Sequence, residues 1–464
     1  MKSLIDPSSR VTHFPELAAA LDGMLTVLER AEYDADTVFI DVERALVERI
    51  RAVGREAIRA LLCRWHPSSD EVRVDGARYR RMRQTTRGRY TCLDGTIEVE
   101  RHLYREVGVR NGATVVPLEL AAGMTAGMTP MAVEAFGQLA QALPTREAAA
   151  VADAACILDV SRSGWQRGIG RIGHELEAAR FSVAEACIDA FEIADEATSV
   201  CVSVDRVAVP VAEPRRRPSG RPKKGAPKRP LDVVWRMAYC ACLTLHDASG
   251  EVVGTMRHGE MPTAEASALL EDRLRSDLHE LLHQRPDLDV VTIADGAAEM
   301  QHHLDRVTDG LDVAARLVDF WHAVEYLGAA ASVMNRDLDC DKQRLLTRDR
   351  AAQRIAVELR TWLLGRENPP TAVTDALRYF ENQGERMHYA AARSAGLPIG
   401  SGNVEATCKT LVAVRFKRAG ARWTLPGGQA VMHMRSLAAS GLWSTAARHL
   451  ADLQRQRIEV PMAA

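Results

Sequence analysis

Two short runs constrain this chain more than any other: TSVCVSVDRVAVP at 198–210 and DVVTIADGA at 289–297. Both are rich in β-branched residues, so both read as strands. Each carries an acid in an apolar setting besides any at its start. Asp205 lies within the first run, and Asp295 stands where the second stops, before Gly296. A lone carboxylate inside a core is costly unless a partner or a metal compensates it. The plainer alternative for Asp205 is a strand-end acid at the surface. In α/β folds, sites collect at strand ends.

A chain of 464 residues predicts roughly two to four domains, and its 47% apolar content suffices for folded cores. The formal net charge of −2 announces no global polyanion binder, but local patches matter more than the total. Nine scattered Cys, with no CxxC and no close Cys–His cluster, argue against a disulfide framework and a structural zinc site. An odd count suits a reducing cytoplasm. The start, MKSLIDPSSR, lacks a signal-peptide core, and no uninterrupted apolar run of membrane-spanning length occurs, so no membrane span is expected.

In chain order, 1–66 reads as an N-terminal helical region. The helix expected over 36–65 places Val38, Val42, Leu46, Ile50, Val53, Ala57 and Leu61 on one stripe. That stripe suits a dimer seam or an ordinary core-facing helix. The segment 67–118 is Arg-rich, with ten Arg from Arg73 to Arg110 against five acids. It alternates like two strands around the turn signal Asp94-Gly95. Such a ribbon can grip a DNA backbone or present a solvated face. Over 119–185 the pattern is helix, short turn, helix: Thr145 is expected to cap the first, and Asp159-Val160-Ser161 to open the second. The second helix shows Arg162, Ser163, Gln166, Arg167 and Arg171. This suits a helix-turn-helix or an ordinary helical pair.

After Asp205, residues 215–230 hold eight cations, four Pro, two Gly and no acid. Arg215, Arg216, Arg217, Arg221, Lys223, Lys224, Lys228 and Arg229 cannot build a core and suit a phosphate-binding loop, though a nuclear-import tag has similar composition. Two more strands and a helix over 263–283 follow. Beyond Asp295, Asp319 and His322 stand one helical turn apart beside Phe320 and Trp321. Residues 331–390 read as an α-helical insertion, and 391–464 as the remainder of the core with a helical tail that frays. In 393–423, Gly396, Pro398, Gly400, Ser401 and Gly402 break structure, and Ser401 or Asn403 can cap a helix from Val404 to Phe416. Glu405 falls in its first turn, where the helix dipole favours a carboxylate, with Lys409 on the same face. Arg415, Lys417, Arg418 and Arg422 follow. The stretch suits a metal ligand beside a phosphate backbone, or a charged surface helix.

SVDRVAV, ADGA, DFWHAVEYL and GLPIGSGNVEATCKTLVAVRFKRAGARW together resemble the DDE transposases of bacterial insertion sequences, the ISKra-type group in particular, over about 198–442. The resemblance implies an α/β fold: an RNase H-like catalytic domain (195–330 and 391–464) with an α-helical insertion, preceded by helical and helix-turn-helix DNA-binding regions. It implies a catalytic Asp205–Asp295–Glu405 triad holding two Mg²⁺ ions, for which Mn²⁺ can substitute. Three hard oxygen ligands suit in-line phosphoryl transfer by two such ions. It makes Asp319 and His322 substrate-positioning or supporting residues. Relatives carry a Cys-rich, zinc-ribbon-like segment where this chain has GVRNGATVVPLEL, so no zinc is expected. The implied partners are double-stranded DNA, as terminal inverted repeats and target, and further copies of the chain in a homodimer or larger assembly. The expected place is a bacterial cytoplasm, at the nucleoid when bound. A transposase-derived regulator without catalysis and another RNase H-like nuclease are the competing readings.

Overall fold

The computed structural model describes residues 13–31, 38–215 and 231–461 of the chain. They form a mixed α/β molecule of two compact units: 1–186 with 443–464, and 187–442.

In the first unit, helices α1 (Pro15–Arg30) and α2 (Phe39–Arg64) form a hairpin. The expected stripe does not face a core along its length. Within α2 only Leu62 is buried, while Val38, Ile50 and Leu61 are about half exposed or more. The reason is length: α2 meets the sheet only near its C-terminal end, where Ile58 and Leu62 pack on Tyr90, Ile97 and Val99.

The Arg-rich segment is part of a five-stranded sheet of β1 (Glu71–Val74), β2 (Ala77–Cys92), β3 (Gly95–Glu106), β4 (Thr114–Val115) and β10 (Ile458–Glu459), in order β10-β1-β2-β3-β4. Asp94-Gly95 closes the β2–β3 hairpin, with Gly95 at φ +126°. Helices α3 (Pro117–Ala121), α4 (Pro130–Ala142), α5 (Thr145–Ala154), α6 (Arg162–Ala178) and α7 (Arg180–Asp189) follow. Ser161 caps α6 by accepting from the Gly164 N–H at 3.2 Å. Thr145 does not cap α5: Pro144 takes the N-cap position, and no side chain serves there. The tail does not fray at once. Helix α18 (Trp443–Gln456) packs on α4, and β10 then pairs antiparallel with β1.

The second unit is built on β5 (Ala197–Pro214), β6 (Leu231–Asp247), β7 (Val252–Glu260), β8 (Asp289–Ala294) and β9 (Ala315–Val318). Their order is β7-β6-β5-β8-β9; β5–β6–β7 run antiparallel, and β8 and β9 parallel to β5. Helices α8 (Ala266–Gln284) and α9 (Ala298–Val307) supply the crossovers. Helices α10 (Phe320–Met334), α11 (Leu338–Thr347), α12 (Ala351–Leu363), α13 (Thr371–Gln383) and α14 (Tyr389–Ser394) own a separate core around Phe320, Leu327, Ile355, Leu359, Val373 and Phe380. The expected insertion is therefore a helical layer that begins at Phe320. Helix α15 (Gly402–Cys408) continues through a π segment (Lys409–Ala413) into α16 (Val414–Phe416), and α17 (Leu425–Ala439) follows. No described helix is long and apolar enough to cross a membrane.

Candidate active site

Asp205, Asp295 and Asp319 lie where the parallel pairing of β5, β8 and β9 stops, Asp205 within β5 itself, which runs on paired with β6. The last β5–β8 pair is Ser203 with Ile293. Extending that register by two residues sets Asp205 opposite Asp295. Ala294 in turn pairs with Val318, and the Asp319 N–H donates to the Ala294 carbonyl at 2.8 Å. Three consecutive parallel strands thus each deliver one carboxylate at one edge of the sheet.

Asp205 is partly buried. Its Oδ1 accepts from the Arg206 N–H at 2.6 Å and its Oδ2 from the Cys408 thiol at 3.4 Å. Burial raises its pKa, the Asp295 charge raises it further, and the two hydrogen bonds and His322 only partly oppose this. Asp295 folds its Oδ1 onto the Ala297 N–H at 2.8 Å, in a turn that Gly296 makes at φ +95°. Two residues of α13 hold that turn: Tyr379 Oη donates to the Asp295 carbonyl at 3.2 Å, and Gln383 Nε2 to the Gly296 carbonyl at 2.9 Å.

Asp319 is 1% exposed and acts as a joint. Its Oδ1 caps α10 through the His322 N–H at 2.8 Å, and its Oδ2 accepts from the Ser401 N–H. Phe320 N–H donates to the Ile399 carbonyl at 3.0 Å, so the 396–402 turn is fixed to the end of β9 by both bonds. That turn launches α15 and with it Glu405. Ser401 is the N-cap, but its side chain makes no capping bond; its carbonyl accepts from the Val404 and Glu405 N–H groups at 2.9 and 3.3 Å. His322 stands between acids, with Nε2 3.8 Å from Glu405 Oε1 and Nδ1 3.3 Å from Glu325 Oε2.

Glu405 and Lys409, which the alternative reading of a charged surface helix would pair, do not pair. Glu405 faces His322, and Lys409 opens the π segment, exposed. The π turn has a visible cause in Arg435 of α17, which is 7% exposed. Its guanidinium donates to the Thr410 and Leu411 carbonyls, which the widened turn frees. Burial lowers the Arg435 pKa to about 10.

The cations expected on DNA have varied fates. Arg162, Arg167, Lys409, Lys417, Arg418 and Arg422 are exposed. Arg415 is 5% exposed and lies over the Trp423 ring, 4.8 Å from its centroid, so it belongs to the core instead of the surface. Trp423 is pinned to the far part of β5, donating to the Pro210 carbonyl while its own carbonyl accepts from Ala212. Arg215 pairs with Asp232 at 2.9 Å. Arg216, Arg217, Arg221, Lys223, Lys224, Lys228 and Arg229 lie outside the described residues.

Several supporting residues carried no sequence signal. Besides Tyr379, Gln383 and Cys408, Glu299 accepts from Tyr239 Oη at 2.7 Å and pairs with Arg206, the neighbour of Asp205. All are long-range contacts, which no local spacing encodes.

Among the described residues, no three His, Cys, Asp or Glu side chains are drawn together closely enough to enclose a metal ion. The donor chemistry nevertheless fits Mg²⁺: hard carboxylate oxygens, with the Asp295 charge disfavouring that of Asp205. Glu405 has 45% of its side chain exposed and faces His322.

The chain matches no protein-family model, and no curated protein matches it.

Proposed function

We propose that this chain is a DNA transposase of the DDE class, acting on the terminal inverted repeats of its own insertion sequence. The observation that carries the reading is the placement of Asp205 just past the parallel pairing of β5 with β8 and of Asp295 just past the end of β8, with the Glu405 helix fixed to the end of β9 by the Asp319–Ser401 joint. An RNase H-like reading of the second unit rests on the same mixed sheet and its edge of acids. A helix-turn-helix reading of α5 and α6 rests on their order and on the exposed arginines of α6.

Bound Mg²⁺, held by Asp205, Asp295 and Glu405, would activate the attacking oxygen and stabilise the leaving one. The chain's own residues set the geometry for this. Tyr379 and Gln383 fix the Asp295 turn, Asp319 fixes the start of the Glu405 helix, and His322 holds a hydrogen-bonding ring beside Glu405. In the first step water attacks a phosphorus at the element end, the bond to the 3′ oxygen breaks, and a 3′-hydroxyl is freed. In the second, that hydroxyl attacks a target phosphodiester and displaces the target's own 3′ oxygen. Two ends require two copies of the chain, hence a dimer or larger assembly.

The test is a cleavage and strand-transfer assay with Mg²⁺ or Mn²⁺ and DNA carrying the source element's ends. The native chain should cut and join, and Glu405→Gln should do neither while still binding DNA. Cutting without joining would favour a nuclease, and binding with no cutting by either protein would favour a regulator.

A further inference from the structure

In the first unit, a cavity of about 390 Å³ opens between the β2–β3 hairpin, the turn at 126–128 and the first half of α6. Arg89, Arg167 and Arg171 line it, with the hydroxyls of Thr91 and Thr96. The convergence follows from two periodicities. Gly88, Tyr90 and Cys92 are buried on one face of β2, so Arg89 and Thr91 point to the other. On α6, Trp165, Ile169 and Ile172 take the core, leaving Arg167 and Arg171, one turn apart, on the open side.

Several arginines of the first unit are neutralised by acids. In the same sheet Arg78 and Arg80 share Glu71, Arg81 pairs with Asp70 and Arg101 with Glu119. Among the described residues, no ion pair or side-chain hydrogen bond neutralises Arg89, Arg167 or Arg171. The cavity's one acid is Asp159, so three guanidiniums against one carboxylate leave a formal +2. A concave site with surplus guanidinium forks and flanking hydroxyls is matched by the paired oxygens of phosphodiesters.

We propose that this cavity seats the phosphate backbone of duplex DNA. The inference rests on the DNA-binding reading above and sharpens it. Arg167 and Arg171 hold the backbone together with Arg89, and do not read base edges. The contact is independent of DNA sequence, and it is separate from the strand-cutting edge of the other unit.

Anisotropy with the full chain tests it, using a random duplex and an end-containing duplex across a potassium chloride series. Arg89→Gln and Arg171→Gln should each weaken both duplexes by the same factor. Each lost contact should make the slope of log affinity against log salt shallower by about 0.9. Asp159→Asn should tighten both, a gain that misfolding cannot mimic. Unchanged slopes, loss of discrimination between the duplexes, or no DNA binding by the native chain would overturn the assignment. If the native chain binds both duplexes alike and cuts neither, while the slopes still fall in the variants, the phosphate seat stands and the transposase reading fails.

Discussion

Asp205 is maintained at a cost to the fold. Its carboxyl is held above the ordinary 3.8 by burial first and by Asp295 after that. A carboxyl raised in this way keeps its proton at a pH where the unfolded chain has released it. Its contribution to stability is therefore full below the unfolded value and is lost as pH rises through the folded one. At neutral pH the residue is a net burden. Asp205→Asn should raise the unfolding midpoint in EDTA, with a gain over the native chain that grows through the mildly acidic range and then levels off. It should also reduce cleavage by roughly 10³-fold, the loss expected when several kcal/mol of transition-state stabilisation disappear. Denaturation across pH and the cleavage assay check the two halves; a variant less stable at every pH would mean that Asp205 serves the fold. The acid was legible as a lone carboxylate in an apolar run, but the run alone left a strand-end acid at the surface open, and only the resemblance chose between the two. Cys408 and Glu299 were not: one reaches Asp205 from 203 residues away, the other braces Arg206 from 93.

Secondary structure was legible wherever a segment's own pattern fixed it, as in β5, β8 and the Asp94-Gly95 hairpin. It was not where a distant side chain intervenes. Nothing in KTLVA marks a π turn; Arg435 causes it, from another helix. The helices between Asp295 and Glu405 show how such an element braces an acid-bearing turn. Tyr379 stacks on Tyr326, with centroids 4.3 Å apart, and spends its hydroxyl on the Asp295 carbonyl. Tyr379→Phe keeps the ring and removes that bond, costing about 1 kcal/mol of stability. If the helical layer positions the Asp295 turn, cleavage should fall by about tenfold or more, since small misplacements of reacting groups are expensive. Affinity for end DNA should not change. Single-turnover cleavage beside a binding isotherm separates these effects. An unaltered cleavage rate would reduce the layer to a scaffold.

At the scale of the molecule, the chain closes the first unit with its own end, which sequence order conceals. Trp443 is 1% exposed and stands so close to Gly137 of α4 that a Cβ there would overlap the indole. Its Nε1 donates to the Glu134 carbonyl at 2.8 Å. Gly137 therefore is the small residue that admits the ring, and β10 completes the sheet further on. Trp443→Ala should cost about 3–5 kcal/mol, the usual loss for a large buried aromatic. That loss should be local. Hydrogen exchange should quicken in α4, α6 and β1, whose packing or pairing depends on the returning tail, while β5 and β8 keep their protection. Equal loss of protection in both units would show one cooperative body in place of two. Local loss would mean that the unit proposed to hold DNA can be weakened while the carboxylate edge stays formed. On the proposed function, the same variant should then bind end DNA poorly although Asp205, Asp295 and Glu405 are intact.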